Sequence, residues 1–322
     1  MKKNDFKVSV IVPSFNEEGN IDPLIQRTVT VLKEYSNYEL LFIDDGSKDN
    51  TLKTIKRERR HNDKINYLSF SRNFGHQNAL RAGLDYATGD CVISMDSDLQ
   101  HPPELIPKMV EKWQKGYDIV YTVRKDDPST PFLKRKSAST FYRVLNRFSD
   151  IKINKGVADF RLIDRKVVEI IKNLRENELF MRGMISWLGF KQCGINYLPE
   201  KRQWGKTKYT YKAMVKLAAT GITSFSVKPL QVSTMLGYLM AVLAFIYGIY
   251  AIIIKLFTDK TISGWTSVLA GVLFIGGIQM IMIGILGEYV GKLFIESKKR
   301  PHYIIKEKSY EQSYVNRAGN SF

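Results

Sequence analysis

The stretch VISMDSDLQHPPE (residues 92–104) places an apolar run directly before two aspartates and then bends the chain with two prolines. If the strand continues through the acids, Asp96, Asp98 and Gln100 point the same way, because side chains along a strand alternate with a period of two. Oxygen ligands of this kind indicate a hard divalent cation, Mg²⁺ or Mn²⁺. The prolines then turn the chain into a helix, PELIPKMVEKWQKG, and we interpret His101 as a turn residue rather than a ligand.

The N-terminal part of the chain repeats one pattern, an apolar run followed by an amphipathic segment. The runs are spaced by about 25–30 residues, close to the size of a βαβ unit. They begin near Val8, Glu39, Ile65, Cys91 and Asp118. Because the runs are continuously apolar, they are typical of parallel strands that are covered on both faces. The predicted fold class is therefore α/β, with ligands bound beyond the carboxyl ends of the strands.

Two further runs end in polar, acidic loops, PSFNEE (residues 13–18) and DDGS (residues 44–47). A single acidic loop is usually a helix cap or a turn, and Asp49 fits that simpler reading. Three converging acidic loops repel one another unless a counter-charge lies between them, and a divalent cation is the simplest one. Since Mg²⁺ typically combines one or two carboxylates with substrate phosphates, we expect a diphosphate substrate. The chain has neither a P-loop motif nor G-x-G-x-x-G, which disfavours an ATPase or a dehydrogenase.

Two charge-free apolar stretches lie near the C-terminus, at residues 232–254 and 265–287. About 20 such residues suffice to cross a bilayer as a helix, so we predict two transmembrane helices over a pair of buried core helices. Basic residues flank the outer ends of the pair, which places both termini in the cytoplasm under the positive-inside rule. Residues 209–226 are interpreted as an interfacial helix, with an ordinary surface helix as the alternative.

The formal net charge of +17 has three interpretations. The chain carries no nucleic-acid-binding motif, so nucleic acid is disfavoured as a partner. A solvated lysine-rich surface explains part of the charge. The third interpretation is that the positive charge attracts anionic lipid headgroups and phosphorylated substrates, and the two predicted spans favour this interpretation. The two cysteines form no disulfide framework or metal pattern, which suits a reducing compartment.

These patterns divide the chain into four parts. Residues 126–150 read as a loop leading into a basic amphipathic helix, and the charged tail after Tyr303 is expected to be poorly ordered. The predicted parts are a cytosolic catalytic domain (1–208), an amphipathic juxtamembrane region (209–230), two transmembrane helices (231–291) and a cytosolic basic tail (292–322).

Five segments in register resemble one protein family. They are VSVIVPSFNEEGNI, LLFIDDGSKDNT, FSRNFGHQNALRAGLDYATGD, MDSDLQHPPELIPKMVEKWQKGYDIV and DFRLIDRKVVE. Their order is similar to that of family 2 glycosyltransferases with the Rossmann-like GT-A fold, in the branch that acts on polyprenyl phosphates. That branch includes dolichyl-phosphate mannose synthases, and the two spans resemble those of bacterial bactoprenol glucosyltransferases.

The resemblance implies which residues bind the nucleotide sugar. Asp96, Asp98 and Gln100 would hold its diphosphate through Mg²⁺ or Mn²⁺. Arg202 would clamp phosphate with Lys208 as a second candidate, although Thr207 stands where relatives usually have serine. The residues expected to line the nucleotide pocket are Pro13, Asn16, Glu17, Asp44 and Asp45.

The resemblance also implies a site for the lipid phosphate, formed by Arg124, Arg135 and Ser139. The spacing of four residues puts Arg135 and Ser139 on one helical face. Lys134 and Arg143 are the alternatives, since the intervening loop differs in length between relatives.

The implied reaction is inverting transfer of one sugar from a nucleotide sugar to undecaprenyl phosphate at the bacterial plasma membrane. UDP-glucose is the first choice of donor, ahead of UDP-N-acetylglucosamine and GDP-mannose. A processive polysaccharide synthase is a rival, although the chain lacks Q-x-x-R-W. A non-catalytic nucleotide-sugar-binding subunit is another. A stripe of Gly284, Gly287 and Gly291 permits close helix packing, which suggests a homo-oligomer.

A phosphate acceptor needs little help from a base, because the second pKa of a phosphate ester is about 6. Positioning and charge stabilisation would then dominate catalysis, with Asp98 and Arg202 acting on the leaving diphosphate. Asp159, in DFRL, is the remaining acid for the sugar. It could orient a hydroxyl, act as a weak base, or form an ion pair with Arg161 or Arg165.

Overall fold

A computed structural model describes residues 5–124, 156–174, 176, 181–200, 223, 226–257 and 264–309. These residues fall into two compact units. The first, catalytic unit contains the described residues up to 200 and from 301 onward, and the second contains those from 223 to 300. The predicted helices at 126–150 and 209–226 lie outside the described residues, apart from positions 223 and 226.

An eight-stranded sheet forms the centre of the catalytic unit, with strand order β7-β5-β6-β4-β1-β2-β3-β8. The five predicted apolar runs form the first five strands, so those strand predictions are confirmed. The strands are β1 (Lys7–Ser14), β2 (Asn37–Asp44), β3 (Ile65–Phe70), β4 (Cys91–Ser94), β5 (Ile119–Arg124), β6 (Val157–Asp164), β7 (Gln192–Tyr197) and β8 (Ile305–Lys308).

The sheet is mixed rather than parallel throughout. Strands β1 to β4 pair in parallel, as the apolar runs predict. Strand β6, however, inserts between β4 and β5 and runs antiparallel to both. Its segment Phe160–Ile163 is buried, so its composition does not differ from that of a parallel core strand. This insertion brings the start of β6 to the same edge as the ends of β1, β2 and β4.

Helices cover both faces of the sheet. One face packs α1, α2 and α4 around a common apolar core. The other face packs α3, where a Cβ at Gly83 would lie 2.9 Å from Ile11, so only glycine allows this approach of helix to sheet. The helices of this unit are α1 (Glu18–Leu32), α2 (Thr51–His61), α3 (His76–Tyr86), α4 (Ile106–Gln114), α5 (Arg165–Asn173) and α6 (Met181–Trp187), and the second unit has α7 (Lys228–Phe257) and α8 (Trp265–Ser297).

The prediction of a poorly ordered tail after Tyr303 is wrong for the residues up to Ser309. Strand β8 pairs antiparallel with β3, and the Tyr303 ring stacks on Phe70 with centroids 5.1 Å apart. The charged sequence IKEK suits a short edge strand, because charged side chains on an edge discourage pairing with other chains. The C-terminal segment is therefore part of the catalytic unit.

The second unit contains two long apolar helices that extend beyond the predicted spans. The candidate spans are Lys228–Ile254 and Val268–Ser297, with mean hydropathies of 2.2 and 2.3, and the most apolar part of each is exposed among the described residues. The alternative of a buried helix pair is therefore wrong. Apolar helices that the described residues leave exposed are what a bilayer accommodates, since a helix satisfies its own backbone hydrogen bonds.

Candidate active site

The carboxyl ends of three neighbouring strands meet at one edge of the sheet. Strand β1 lies between β4 and β2, and Ser14 is in register with Asp44. The pairing continues past the strands, because Met95 N donates to Ile11 O at 3.0 Å and Asp45 N donates to Ser14 O at 2.9 Å. The structure thus brings the three polar loops together, as the sequence predicts.

The loops after β1 and β2 are joined by hydrogen bonds. Asn16 has a φ of 54°, a conformation that asparagine tolerates better than most residues. Its Oδ1 accepts from Lys48 N at 2.9 Å, and its own N–H donates to Ser47 Oγ at 3.0 Å. Glu17 N donates to Thr51 Oγ1 at 2.9 Å, while Pro13 is buried within β1. These residues fix the two loops against each other.

Asp44 and Asp45 are buried and have protein partners for their charge. Asp44 accepts hydrogen bonds from Ser47 N at 3.1 Å and Ser69 Oγ at 2.8 Å. Asp45 accepts from Phe74 N at 2.7 Å and from Gly75 N. Burial raises the pKa of Asp45, and these N–H groups oppose that rise. Hydrogen-bond donors of the protein therefore stabilise this pair, and the acids after β4 are the ones left for a cation to balance.

The loop whose N–H groups donate to Asp45 places His76 at the site. Gly46, with φ 69°, allows the loop to approach, because a Cβ there would lie 2.5 Å from the backbone carbon of Arg72. Helix α3 begins at His76. Its Nε2 lies 3.5 Å from Asp96 Oδ1 and 3.8 Å from Asp159 Oδ2. His76 therefore lies between the acids after β4 and the acid of β6.

The acids after β4 lie in a turn rather than on an extended strand. Strand β4 ends at Ser94, and Leu99, with φ 62°, is buried beneath the turn. The period-two argument for Asp96, Asp98 and Gln100 is therefore wrong, although the turn keeps the three residues close in sequence and space. Gln100 N donates to Asp98 Oδ1 at 3.1 Å. The chain turns directly after β4 through the left-handed residue Leu99, so Asp96 and Asp98 lie in this turn and not on the buried strand.

His101 is a turn residue, as interpreted from the sequence. Its Nδ1 accepts a hydrogen bond from Asp96 N at 3.0 Å. The ring is buried and stacks on Phe160 with centroids 5.2 Å apart. His101 thereby fixes the backbone of Asp96.

Asp159 is enclosed by arginines. Arg182 donates from Nε and Nη2 to the two carboxylate oxygens at 2.9 Å each, and Arg161 Nη2 donates at 3.1 Å. Burial alone would raise the pKa of Asp159, but the charges and hydrogen bonds of these arginines and the charge of His76 outweigh it and hold the pKa well below its ordinary value. Asp159 is therefore poorly suited to accept a proton. Of the two ion pairs considered, the structure has the one with Arg161, whereas Arg165 donates to Gly89 O.

Arg182 and His76 are site residues that the sequence reasoning missed. Arg182 stands alone as a charge in the short apolar helix MRGMISW, and an isolated charge in an apolar helix is a signal for a buried partner. His76 directly follows Phe74-Gly75 at a helix start beyond a buried strand, which places it on the ligand-binding edge.

The residues after β4 fit a divalent cation that shares its coordination with a substrate. Among the residues that the structure describes, no three His, Cys, Asp or Glu side chains form a ready-made metal cluster. Mg²⁺ does not need one, because it uses one or two carboxylates with waters and phosphates. Asp96 Oδ1 is buried and accepts no hydrogen bond from any described residue, which is costly unless a ligand approaches it. This orphaned oxygen, 3.5 Å from His76 Nε2, fits the role of a ligand to such a cation.

Of the predicted phosphate-binding residues, Arg124 belongs to the part of the chain that the structure describes. Arg124 ends β5 at the same edge, is exposed, and donates from its N–H to Gly156 O at 2.8 Å. The remaining predicted residues, Arg135, Ser139, Arg202 and Lys208, with the alternatives Lys134 and Arg143, lie outside the described residues.

Two family models match the chain. Residues 9–171 match glycosyl transferase family 2, and residues 228–293 match the GtrB C-terminal hairpin. The chain belongs to glycosyltransferase family 2 and is a glycosyltransferase of the GT-A fold. The hairpin match coincides with α7 and α8, whose exposed apolar surfaces indicate a membrane-associated enzyme.

Individual relatives extend over nearly the whole chain. The prophage bactoprenol glucosyl transferase homolog of Escherichia coli (strain K12) is 47% identical over 93% of this chain and 98% of its own. The uncharacterized glycosyltransferase YkcC of Bacillus subtilis (strain 168) is 45% identical over 94% of each chain. Among solved structures, glucosyl-3-phosphoglycerate synthase from Mycobacterium tuberculosis, in complex with Mn²⁺, UDP and glucosyl-3-phosphoglycerate, is 19% identical over 68% of this chain and 80% of that one, with a TM-score of 0.45.

Proposed function

We propose that the protein transfers one glucose from UDP-glucose to undecaprenyl phosphate, with inversion at the anomeric carbon. The observation that carries this proposal is the near-complete match to a bactoprenol glucosyl transferase homolog, which includes both the site and the apolar hairpin. The name of that relative supports glucose and the polyprenyl acceptor. UDP as the nucleotide is our own choice, with UDP-N-acetylglucosamine and GDP-mannose as the alternative donors.

The donor would bind at the edge formed by β1, β2 and β4. Asp96 and Asp98 would hold Mg²⁺ or Mn²⁺ with Gln100, and the orphaned oxygen of Asp96 supports this assignment. When bound, the cation supplies positive charge that stabilises the leaving diphosphate. The loops fixed by Asn16, Glu17, Asp44 and Asp45, together with Pro13, would shape the nucleotide pocket.

The acceptor would attack without a strong base. A lipid monophosphate is anionic near neutral pH, so its oxygen can form the bond to the anomeric carbon while the electrons of the broken bond leave with UDP. The covered carboxylate of Asp159 supports a reaction of this kind, because it has no oxygen without an arginine partner. Arg124, Arg135 and Ser139 are proposed to bind the lipid phosphate, and Arg202 and Lys208 the leaving diphosphate.

The hairpin would place this chemistry at the cytoplasmic face of the bacterial plasma membrane. Two spans return the chain to its starting side, which agrees with β8 joining the same sheet as β1. The basic flanks of the hairpin favour the cytoplasm for both ends. A homo-oligomer formed through the glycine stripe stays a prediction.

The test is a transfer assay with the full-length protein in vesicles that contain undecaprenyl phosphate. Radiolabelled UDP-glucose, UDP-N-acetylglucosamine and GDP-mannose are supplied separately, and lipid-linked product is separated and weighed by mass spectrometry. We expect one hexose per lipid with UDP-glucose. Products longer than one sugar would support a processive synthase, and the absence of product with every donor would support a non-catalytic subunit.

A further inference from the structure

One arginine on α1 binds two glutamates that lie far apart in the sequence. Arg27 donates from Nε and Nη2 to the carboxylate of Glu104, at 3.1 and 2.8 Å. It also donates from Nη1 and Nη2 to the carboxylate of Glu200, at 2.8 Å each. A guanidinium has five N–H donors in a rigid plane, so two such forks fix its orientation. Arg27 therefore bridges Glu104 and Glu200 with a defined geometry.

This bridge differs from an ordinary surface ion pair. The side chain of Arg27 is 29% exposed, against 54% for Arg57, which also pairs with two carboxylates. Exposed pairs usually contribute little to stability, but bidentate pairs and networks of charges contribute more. The hydrogen bond from Arg27 lowers the pKa of Glu200. Because both carboxylates approach the same Nη2, the two glutamates would repel each other without the charge of Arg27.

The two glutamates follow residues that contact each other beside the candidate site. Glu104 lies three positions after His101, and Glu200 lies three positions after Tyr197, the last residue of β7. The rings of His101 and Tyr197 are in edge contact, with centroids 6.0 Å apart. The chain after β4 and the chain after β7 therefore meet at this ring contact and again at Arg27.

His101 connects these contacts to the predicted metal site. Its Nδ1 accepts a hydrogen bond from Asp96 N at 3.0 Å, and its ring stacks on Phe160. Tyr197 also lies within electrostatic range of the acids after β4. Burial raises the pKa of Tyr197 to about 12, and the negative charges of Asp96 and Asp98 add to the rise. A shift at the end of β7 would therefore disturb the ring that fixes the backbone of Asp96.

We propose that Arg27 is a positioning residue for the metal-bound donor, because it fixes the end of β7 against the chain after β4 and so keeps Asp96 in place for the cation. The inference rests on the proposed function for the role of Asp96 and for the nucleotide. Arg27 acts through Glu104 and Glu200, whose charges it balances, and not through contact with a substrate.

The test separates binding of the cation from binding of the nucleotide. Calorimetry on the full-length protein in detergent, without metal, measures the affinity for UDP and for GDP. Electron paramagnetic resonance of free Mn²⁺ then measures the Mn²⁺ affinity of protein saturated with the tighter-binding nucleotide, corrected for Mn²⁺ bound by free nucleotide. In Arg27→Gln the Mn²⁺ affinity should fall about tenfold, as when a group that orients a metal ligand is lost. The nucleotide affinity without metal should stay unchanged.

Arg57→Gln is the matched control, because Arg57 also bridges two carboxylates, those of Asp22 and Glu58. It should alter neither affinity. Arg27→Lys should retain part of the Mn²⁺ affinity, since lysine keeps the charge but lacks the two forks. Adding Glu104→Gln to Arg27→Gln should restore part of the Mn²⁺ affinity, because it removes the repulsion between the glutamates. A general loss of stability would not be relieved by a second substitution of this kind.

An unchanged Mn²⁺ affinity in folded Arg27→Gln would overturn the proposal. An equal fall in both affinities would overturn it as well, since the effect would then not pass through Asp96. If Arg27→Gln does not fold, Arg27→Lys is judged by the same two outcomes. If wild-type protein makes no lipid-linked sugar but Arg27→Gln weakens Mn²⁺ binding, the proposed function is wrong and the positioning role stands. Wild-type protein that binds no Mn²⁺ with either nucleotide would refute the metal assignment and this inference together.

Discussion

The hydroxyl of Tyr303 donates a hydrogen bond of 2.8 Å to Asp85 Oδ2 on α3. Tyr303 follows the second apolar helix in sequence, and α3 is the helix that begins with His76. Burial raises the pKa of the Asp85 carboxyl, with the charge of Arg81 and the bond from Tyr303 opposing the rise. The segment after the hairpin therefore stabilises a helix that carries a residue of the candidate site.

Replacing Tyr303 with phenylalanine removes this bond and leaves a buried carboxyl without its donor. We expect the free energy of unfolding of the catalytic unit to fall by about 1–2 kcal/mol. Denaturant titration of the full-length protein in detergent, followed by tryptophan fluorescence, measures the change. Lys306→Ala, on the exposed side of β8, is the control and should alter stability by less than about 0.5 kcal/mol. Equal effects of the two changes would contradict the role of the Tyr303 bond.

The ion pairs of Asp159 predict a specific dependence of stability on pH. Its pKa is lower in the folded protein than its ordinary value of 3.8, so the folded state favours the ionised carboxylate. The stability that this provides is complete above pH 3.8 and is lost as the pH falls below that value. Asp159→Asn lacks this contribution to the free energy of unfolding. The melting temperatures of wild type and variant should therefore differ most near neutral pH and converge in acid.

Circular dichroism melts between neutral pH and about pH 2 measure how the difference shrinks below pH 3.8. The control is Asp22→Asn, whose exposed pair with Arg57 should be worth little at any pH. A difference between wild type and Asp159→Asn that stays constant down to acid pH would show that the arginine pairs do not stabilise the ionised form.

Asp98 is the strongest test of the metal assignment by mutation. We expect Asp98→Ala to lower sugar transfer by at least about 100-fold, since charge stabilisation of a leaving group is usually worth that much. Membrane insertion and melting temperature should stay close to wild type, because Asp98 lies in a partly exposed turn. Radiolabelled transfer with Asp22→Asn as the control gives the comparison, and full activity of Asp98→Ala would remove Asp98 from the site.

The topology of the hairpin can be tested by cysteine labelling in intact cells. The positive-inside rule predicts that Thr261→Cys, between the spans, reacts with a membrane-impermeant maleimide from outside. Lys306→Cys, on β8, should react only after the membrane is permeabilised. The native Cys91 is buried and Cys193 partly so, and the unmodified protein measures their background. The reverse labelling pattern would place the catalytic unit outside.

The sequence was a good guide wherever a structural feature follows from a local pattern. Continuous apolar runs predict β1 to β5, because a strand that is buried on both faces is apolar at successive positions. The convergence of the acidic loops follows from the parallel order of β4, β1 and β2. The turn role of His101 was also predictable, since two prolines follow it.

The failures concern contacts between distant segments. The N–H groups of Phe74 and Gly75 that bond Asp45 belong to a loop some thirty positions away in sequence. Arg182 meets Asp159 only because β6 runs antiparallel beside β4, which no apolar pattern reveals. Strand β8 has too few apolar residues to be predicted from its sequence, and its pairing with β3 stabilises it.

The most direct test of the account is a structure of the full-length protein with UDP and Mn²⁺, in which anomalous scattering locates the metal. We expect one manganese peak beside the carboxylates of Asp96 and Asp98, in contact with the diphosphate of UDP. UDP bound at the carboxyl edge of β1, β2 and β4 with no metal beside these aspartates would contradict the metal assignment. UDP found away from that edge would contradict the site itself.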